Sequence, residues 1–278
     1  PLLGIGFKVL SALVFTVMVV LIKGVSGRVP TGEIAFARNF FAILPVIAWI
    51  VARGELSTAF RTHRPLGHLG RATVGITAMF LWFESIGRPP LADATAISYA
   101  APLLTVCLAV LVLKERVRPV RWLGVALGLV GVLVVLSPHL GVGGEGRSAV
   151  IGALAAITAA LFMAFAMIFI RTLTATEGTA TIVVYFSIAS SALALTTLPF
   201  GWVVPSAGDI GILVLVGLTG GVGQLLLTQS YRYADASVIA PFEYTTMIWT
   251  LIAGAVFFDE TPGPVVLIGA AIIVVSGV

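Results

Sequence analysis

The sequence predicts an all-α polytopic membrane protein: ten transmembrane helices as two inverted five-helix repeats around a central cavity. Three observations lead there. Of 278 residues, 59% are hydrophobic and only 10% are charged, whereas an average soluble domain carries about 25% charged residues. The apolar residues form nearly continuous runs, each close to the roughly 20 residues that a helix needs to cross a bilayer. Phrases from the first half of the chain also recur in the second.

The expected spans are 2–22, 33–52, 70–87, 91–113, 119–137, 149–170, 179–200, 208–231, 235–258 and 263–278. The first run has no small-residue cleavage site and continues to Lys23, so it reads as a mature span and not as a signal peptide. The second carries Arg38, about a turn and a half inward from Glu33, where an ion pair or a carbonyl clamp is the expected use. The third holds Trp82, and the fourth the stripe Ser98, Pro102 and Thr105. The fifth follows "LKERVRPVRWLG" (Leu113 to Gly124), and "SPHLGVGGEGRS" (Ser137 to Ser148) then reads as the flexible linker. The linker divides the chain into a repeat of residues 1–138 and a repeat of residues 149–278. Spans one and six show Ser11, Phe15, Met18 and Thr158, Phe162, Phe165, stripes that suit packing or pocket equally.

Span eight contains "GLTGGVGQ" (Gly217 to Gln224), which superficially suggests a phosphate loop. It lies in an apolar helix with no strand before it, so close packing by small residues is the expectation. The same span aligns Gln224, Thr228 and Tyr231. In span nine, Glu243, Thr246 and Thr250 recur at helical spacing. Glu243 lies about 12 Å into the span at 1.5 Å per residue, a depth at which an acid marks a pathway by default. Pro241 must leave a carbonyl unpaired one turn back, which is tolerable where a helix lines a cavity.

Orientation follows from the loop charges. Arg53, Arg61, Arg64, Arg71, Lys114, Arg116, Arg118, Arg121, Arg171 and Arg232 fall on one side; Lys23, Arg28, Arg88 and Arg147 fall on the other. The richer side is assigned to the cytoplasm, with both termini inside. Lys8, near that side, is expected to snorkel.

The repeat itself is read from three matches. Shifted by 145 residues, Glu115 falls on Glu260, Pro119 on Pro264 and Gly124 on Gly269; "SALVF" (Ser11 to Phe15) matches "TAALF" (Thr158 to Phe162), and "ADA" recurs at Ala92 and Ala234. Five spans per copy invert the second copy, so Glu115 and Glu260 face opposite sides. That explains why the second phrase has lost its positive charge. Both acids are expected to act as caps or gates. Inverted copies imply a secondary transporter with a midplane site.

With those residues in view, "ADATAISYAAPLLTVCLAVLVLKERV" and "ADASVIAPFEYTTMIWTLIAGAVFFDET" resemble the closing segments of the drug/metabolite transporter superfamily, specifically its EamA-type members, which include YddG-like amino-acid exporters. The resemblance covers essentially the whole chain. It implies alternating access for a small amphipathic solute in a bacterial inner membrane.

The expected cavity-lining set is Phe15, Ser98, Tyr99, Phe162, Gln224, Glu243, Tyr244 and Trp249, with Tyr99 and Tyr244 matched by the repeat and Trp249 placed inside its span. Apolar and aromatic walls with a few polar groups suit an amphipathic solute, and an exported amino acid is the leading expectation. A bulkier metabolite such as a nucleoside or cofactor precursor is the alternative. An intramembrane enzyme would need a metal-binding or nucleophilic set at membrane depth, whereas all three histidines are in loops. No cofactor, no metal centre and no nucleic-acid partner are expected. Cys107 stands alone, without a disulfide or thiolate-site companion. Partners are the solute and the bilayer; proton coupling through Glu243 and a monomer or dimer are left open.

Overall fold

The computed structural model describes residues 1–86, 101–136, 147–258 and 264–276. Ser98, Tyr99, the "ADA" at Ala92, Glu260 and most of the Ser137–Ser148 linker lie outside the described residues. Among the described residues every expected span coincides with helix, and no strand occurs. Four helical segments are, by length and composition, long and apolar enough to cross a membrane: Leu2–Val25, Thr31–Arg53, Ala207–Tyr233 and Ala236–Phe257. Shorter apolar helices supplement them.

Helix α1 is Leu2–Val25. Span two is two helices, α2 (Thr31–Phe41) and α3 (Ile43–Arg53). Pro45 explains the break, because it has no N–H for the carbonyl of Phe41 and its ring crowds that carbonyl. Gly54 ends α3 in the left-handed region, at φ 67°. Helix α4 (Pro65–Ile86) starts five residues before the expected limit. Proline at a first helical position is favoured, since its missing N–H would have had no partner there.

Helix α5 is Ala101–Leu113. It stops because Lys114 turns left-handed at φ 55°, after which the Glu115 N–H reaches back to the Ala109 carbonyl at 3.2 Å. Then come α6 (Pro119–Leu136), α7 (Arg147–Leu173), α8 (Thr179–Leu195) and α9 (Ala207–Tyr233). Span nine is broken as Pro241 requires: α10 (Ala236–Ile239), a 3-10 turn (Ala240–Tyr244) and α11 (Thr245–Phe258). Helix α12 is Pro264–Ser276.

The chain forms two compact units, each drawing on both halves of the sequence. The first comprises Leu2–Thr73 and Phe169–Tyr233. In it α1 runs along α9, and α2 packs on both α8 and α9. The glycines of "GLTGGVGQ" make this closeness possible. A Cβ on Gly217 would stand 2.9 Å from the Ala37 carbonyl oxygen, and one on Gly221 would stand 2.6 Å from that of Ala42. The segment is therefore a seat for backbone against backbone, as small residues provide in membranes. Around it Val46, Ile50, Val183, Val184 and Leu225 form one apolar core, and Val25, Val29, Ile34, Ala37 and Leu213 another.

The second unit comprises Val74–Ile168 and Ala234–Val278, together with Pro1. Here α5 packs on α10 and the 3-10 turn, and α6 packs on α12. Val106, Val125 and Ala240 form its core. These packed pairs join span four to span nine and span five to span ten, the same spans that the sequence shift matches. Large apolar side chains such as Val51, Leu111 and Phe257 remain more than 60% exposed. Water would penalise so much bare apolar surface; hydrocarbon does not.

Candidate functional site

Of the predicted lining residues, Phe15 and Gln224 belong to the first unit. The Phe15 ring lies where a Cβ on Gly223 would stand, 2.7 Å from its nearest atom. Below it Ser11 Oγ donates to the Gly223 carbonyl at 2.9 Å, a buried bond that ties α1 to α9. The conspicuous serine of "SALVF" thus serves packing. Gln224 is buried one residue further along, and Thr228 Oγ1, one turn beyond, is fully buried without a hydrogen-bond partner.

Phe162, Glu243, Tyr244 and Trp249 belong to the second unit. Phe162 is half-buried on α7. Glu243 sits in the 3-10 turn, half-buried, and Thr246 Oγ1 donates to its Oε1 at 3.4 Å. Thr250 turns its hydroxyl to the Thr246 carbonyl at 2.8 Å, and Thr105 likewise bonds Ala101 O at 2.8 Å. Local back-bonding therefore accounts for both threonines. Trp249 keeps its indole N–H buried without an acceptor. The Tyr244 ring occupies the space opened by Gly128, and the Tyr244 hydroxyl donates to the Val125 carbonyl at 3.3 Å. These contacts of Tyr244 fix the 3-10 turn to α6.

The expected cations also change. Glu33 does not pair with Arg38: its Oε2 accepts the Val203 N–H at 3.1 Å. The Arg38 side chain lies over Gly220 beside Met18, with a long 3.4 Å bond from Nη1 to Asn39 Oδ1. Lys8 is buried, at 3% exposure, instead of snorkelling. Arg71, counted as a loop charge in the sequence, is 4% exposed inside α4 and stacks on Phe186, its Cζ 4.0 Å from the ring centroid. Pro65 was the signal that could have found it, since a helix begun there carries Arg71 past its first turn.

At one end of the first unit Glu177 joins three segments. Its Oε1 accepts from Thr62 Oγ1 at 3.0 Å and from the His63 N–H at 2.9 Å, and Arg232 Nη1 donates to its carbonyl at 3.2 Å. His68 stands 3.8 Å away and stacks on Tyr185, whose hydroxyl donates to Phe60 O. At the other end Arg28 Nε and Nη2 donate to Asp209 Oδ1 at 2.9 and 2.6 Å. The hydrogen bond to Asp209 raises the pKa of Arg28 above its usual value. In the second unit Glu115 accepts the N–H groups of Ala236 and Ser237 at 3.1 and 3.0 Å. It is a cap, as expected, but of α10 and not of the helix that follows it in sequence.

A helical membrane fold, glycine-seated helix pairs and ionisable groups at depth define a class: a polytopic solute transporter. The chain belongs to the EamA-like transporter family, whose model matches twice, over residues 2–137 and 150–278. It is 28% identical to an S-adenosylmethionine uptake transporter of Rickettsia prowazekii (98% of this chain, 90% of the relative). It is 29% identical to the pseudopaline exporter CntI of Pseudomonas aeruginosa (98% and 94%), and 28% identical to a riboflavin transporter of Rhizobium johnstonii (97% and 88%). A solved crystal structure superposes with a TM-score of 0.86 at 20% identity, covering 99% of this chain and 95% of that one. That likeness speaks for the fold.

Proposed function

We propose that this protein carries a small amphipathic organic metabolite across a bacterial inner membrane by alternating access of two inverted halves, without chemical conversion. The observation that carries the reading is the double EamA match, one in each half of a chain whose second copy has lost its loop cations. Glu115 and the turn it caps, and the ends fastened by Glu177 and Arg28, act on the frame. Phe15 and Gln224 in the first unit, and Glu243 and Trp249 in the second, are the side chains we assign to the solute path.

The cargo is read as a carboxylate-bearing metabolite. An amino acid is its simplest form and an amino-acid-derived cofactor its bulkier one. S-adenosylmethionine, the solute named for one group of relatives, is an α-amino acid joined to a nucleoside, so the two substrate classes meet in one molecule. We read both termini as cytoplasmic from the loop charges, and export as the direction only from the resemblance to YddG-like exporters. The test is an uptake and counterflow screen in proteoliposomes with amino acids, nucleosides, S-adenosylmethionine and riboflavin. Saturable counterflow of at least one carboxylated solute is expected; conversion of the solute, or no flux of any of them, would overturn the reading.

A further inference from the structure

Three guanidinium groups of the first unit are buried or half-buried: Arg171, which donates to the Tyr231 carbonyl at 3.0 Å, and Arg38 and Arg71, to which no carboxylate of the unit bonds. Its four acids are Glu33, Glu55, Glu177 and Asp209. Glu33 is held by the Val203 N–H, Glu177 by Thr62 and His63, and Asp209 by Arg28, while Glu55 stands in the loop after α3. None bonds to Arg71 or Arg38. Arg71 leaves Nε and Nη1 buried without a hydrogen-bond partner, its plane resting on Phe186. One turn further along α8, the Ser190 hydroxyl is buried and equally unpartnered. The positive charge of Arg38 also acts on Arg71.

Such an arrangement is costly as it stands. A buried charge is normally paired or hydrogen-bonded, and one left without a partner destabilises the fold. A ring face holds a cation weakly and leaves the N–H edge free. A guanidinium whose donors lack a protein partner can take a carboxylate, bidentately where Nη2 acts together with Nε or with Nη1.

We propose that Arg71, with the charge of Arg38 acting on it and the Ser190 hydroxyl as a further donor, forms an anion subsite that receives the carboxylate of the carried solute. This deepens the transport reading and rests on it for the identity of the anion's carrier.

The test has two arms. In the first, the full chain in phosphatidylcholine nanodiscs is unfolded thermally with sodium benzoate or with benzamide at one ionic strength. Benzoate is expected to raise the midpoint and benzamide to leave it unmoved. Arg71→Gln and Arg38→Gln are expected to bind benzoate at least about tenfold more weakly, the loss of a hydrogen bond to a charged group. Arg71→Lys, which keeps the charge without the fork, is expected to fall between. Should Arg71→Gln not fold, Arg38→Gln and Arg71→Lys carry the comparison. A benzoate response equal in all variants, or none in the parent, overturns the subsite. So does a midpoint that depends on Arg71 only in nanodiscs containing phosphatidylglycerol, which would assign the arginines to a lipid phosphate.

The second arm measures counterflow of the carboxylated solutes by the same variants. Flux retained in both Gln variants overturns the subsite and leaves transport intact. An Arg-dependent benzoate shift in a chain that carries no solute leaves the anion site and overturns the transport reading.

Discussion

Glu115 closes the N-terminus of a helix that begins 121 residues later: its two carboxylate oxygens accept the N–H groups of Ala236 and Ser237 at 3.1 and 3.0 Å. The short helix α10 and the 3-10 turn after it hold Pro241 and Glu243. Replacing Glu115 by Ala leaves two amides at a helix terminus without their acceptor. A cost of about 1–2 kcal/mol is expected, as for other N-terminal caps. The thermal midpoint of the purified protein should fall and the rate of counterflow with it, while the order of preference among solutes stays the same. A changed order would place Glu115 on the solute instead.

Lys114 pays a conformational penalty at φ 55° that glycine would not. Lys114→Gly is expected to leave stability unchanged or raise it by up to about 1 kcal/mol. Lys114→Val, β-branched and poorly accommodated there, should lower it. Thermal unfolding of the two variants side by side decides the point.

Helix α9 contains its own control for the glycine seat. A Cβ at Gly221 would come within 2.6 Å of the Ala42 carbonyl oxygen, whereas one at Gly211 meets nothing within 4 Å. Gly221→Ala should therefore force the junction of α2 and α3 away and cost about 1–3 kcal/mol, in the range of overpacking. Gly211→Ala should be neutral or stabilising by up to about 1 kcal/mol, the helix-propensity gain. Equal effects in denaturation assays would mean that proximity of backbones is not what the glycines provide.

Glu243→Gln removes the ionisable group of the 3-10 turn and keeps its size and much of its hydrogen bonding. Loss of solute flux at every pH in a folded variant would make Glu243 a solute ligand. Flux that persists but no longer varies with pH would make it the proton carrier. Unchanged flux across the pH series would remove it from the mechanism.

Topology is tested with single cysteines in a Cys107→Ala background. Arg61, in the loop fastened by Glu177, and Val204, 97% exposed beside the Glu33 contact, stand in loops at opposite ends of span seven. Cysteine at 61 is expected to react with an impermeant maleimide only from the cytoplasmic side, and cysteine at 204 only from outside. Labelling of both from one side would defeat the orientation drawn from the loop charges.

The spans were legible because hydrocarbon selects for continuous apolar runs, and the breaks at Pro45 and Pro241 follow from a missing N–H. The glycine segment was read correctly because a phosphate loop needs a strand before it and none was there. Side-chain assignments were less accessible. Tyr244 was singled out by its match to Tyr99 in the repeat, a signal that carries no trace of the contact its ring makes with Gly128 in the fold. Arg71 was hidden by a limit drawn at residue 70, since hydropathy starts a span where the apolar residues start and not where the helix does. Glu177 gave no signal at all: its partners lie at Thr62 and His63, and only folding reveals that separation.

That separation has a consequence for how the protein is made. The loop of residues 54–64 leaves the ribosome early, but the carboxylate that accepts Thr62 and His63 belongs to a residue 115 positions later. At translation rates of about 5–20 residues per second, its backbone waits on the order of ten seconds for its acceptor. The Arg28–Asp209 pair waits longer still, across 181 residues. Both ends of the first unit are therefore completed only after span six has been inserted, so a chain stalled at the linker would be membrane-bound but unfastened, open to quality-control proteases at the very loops that are closed in the finished protein.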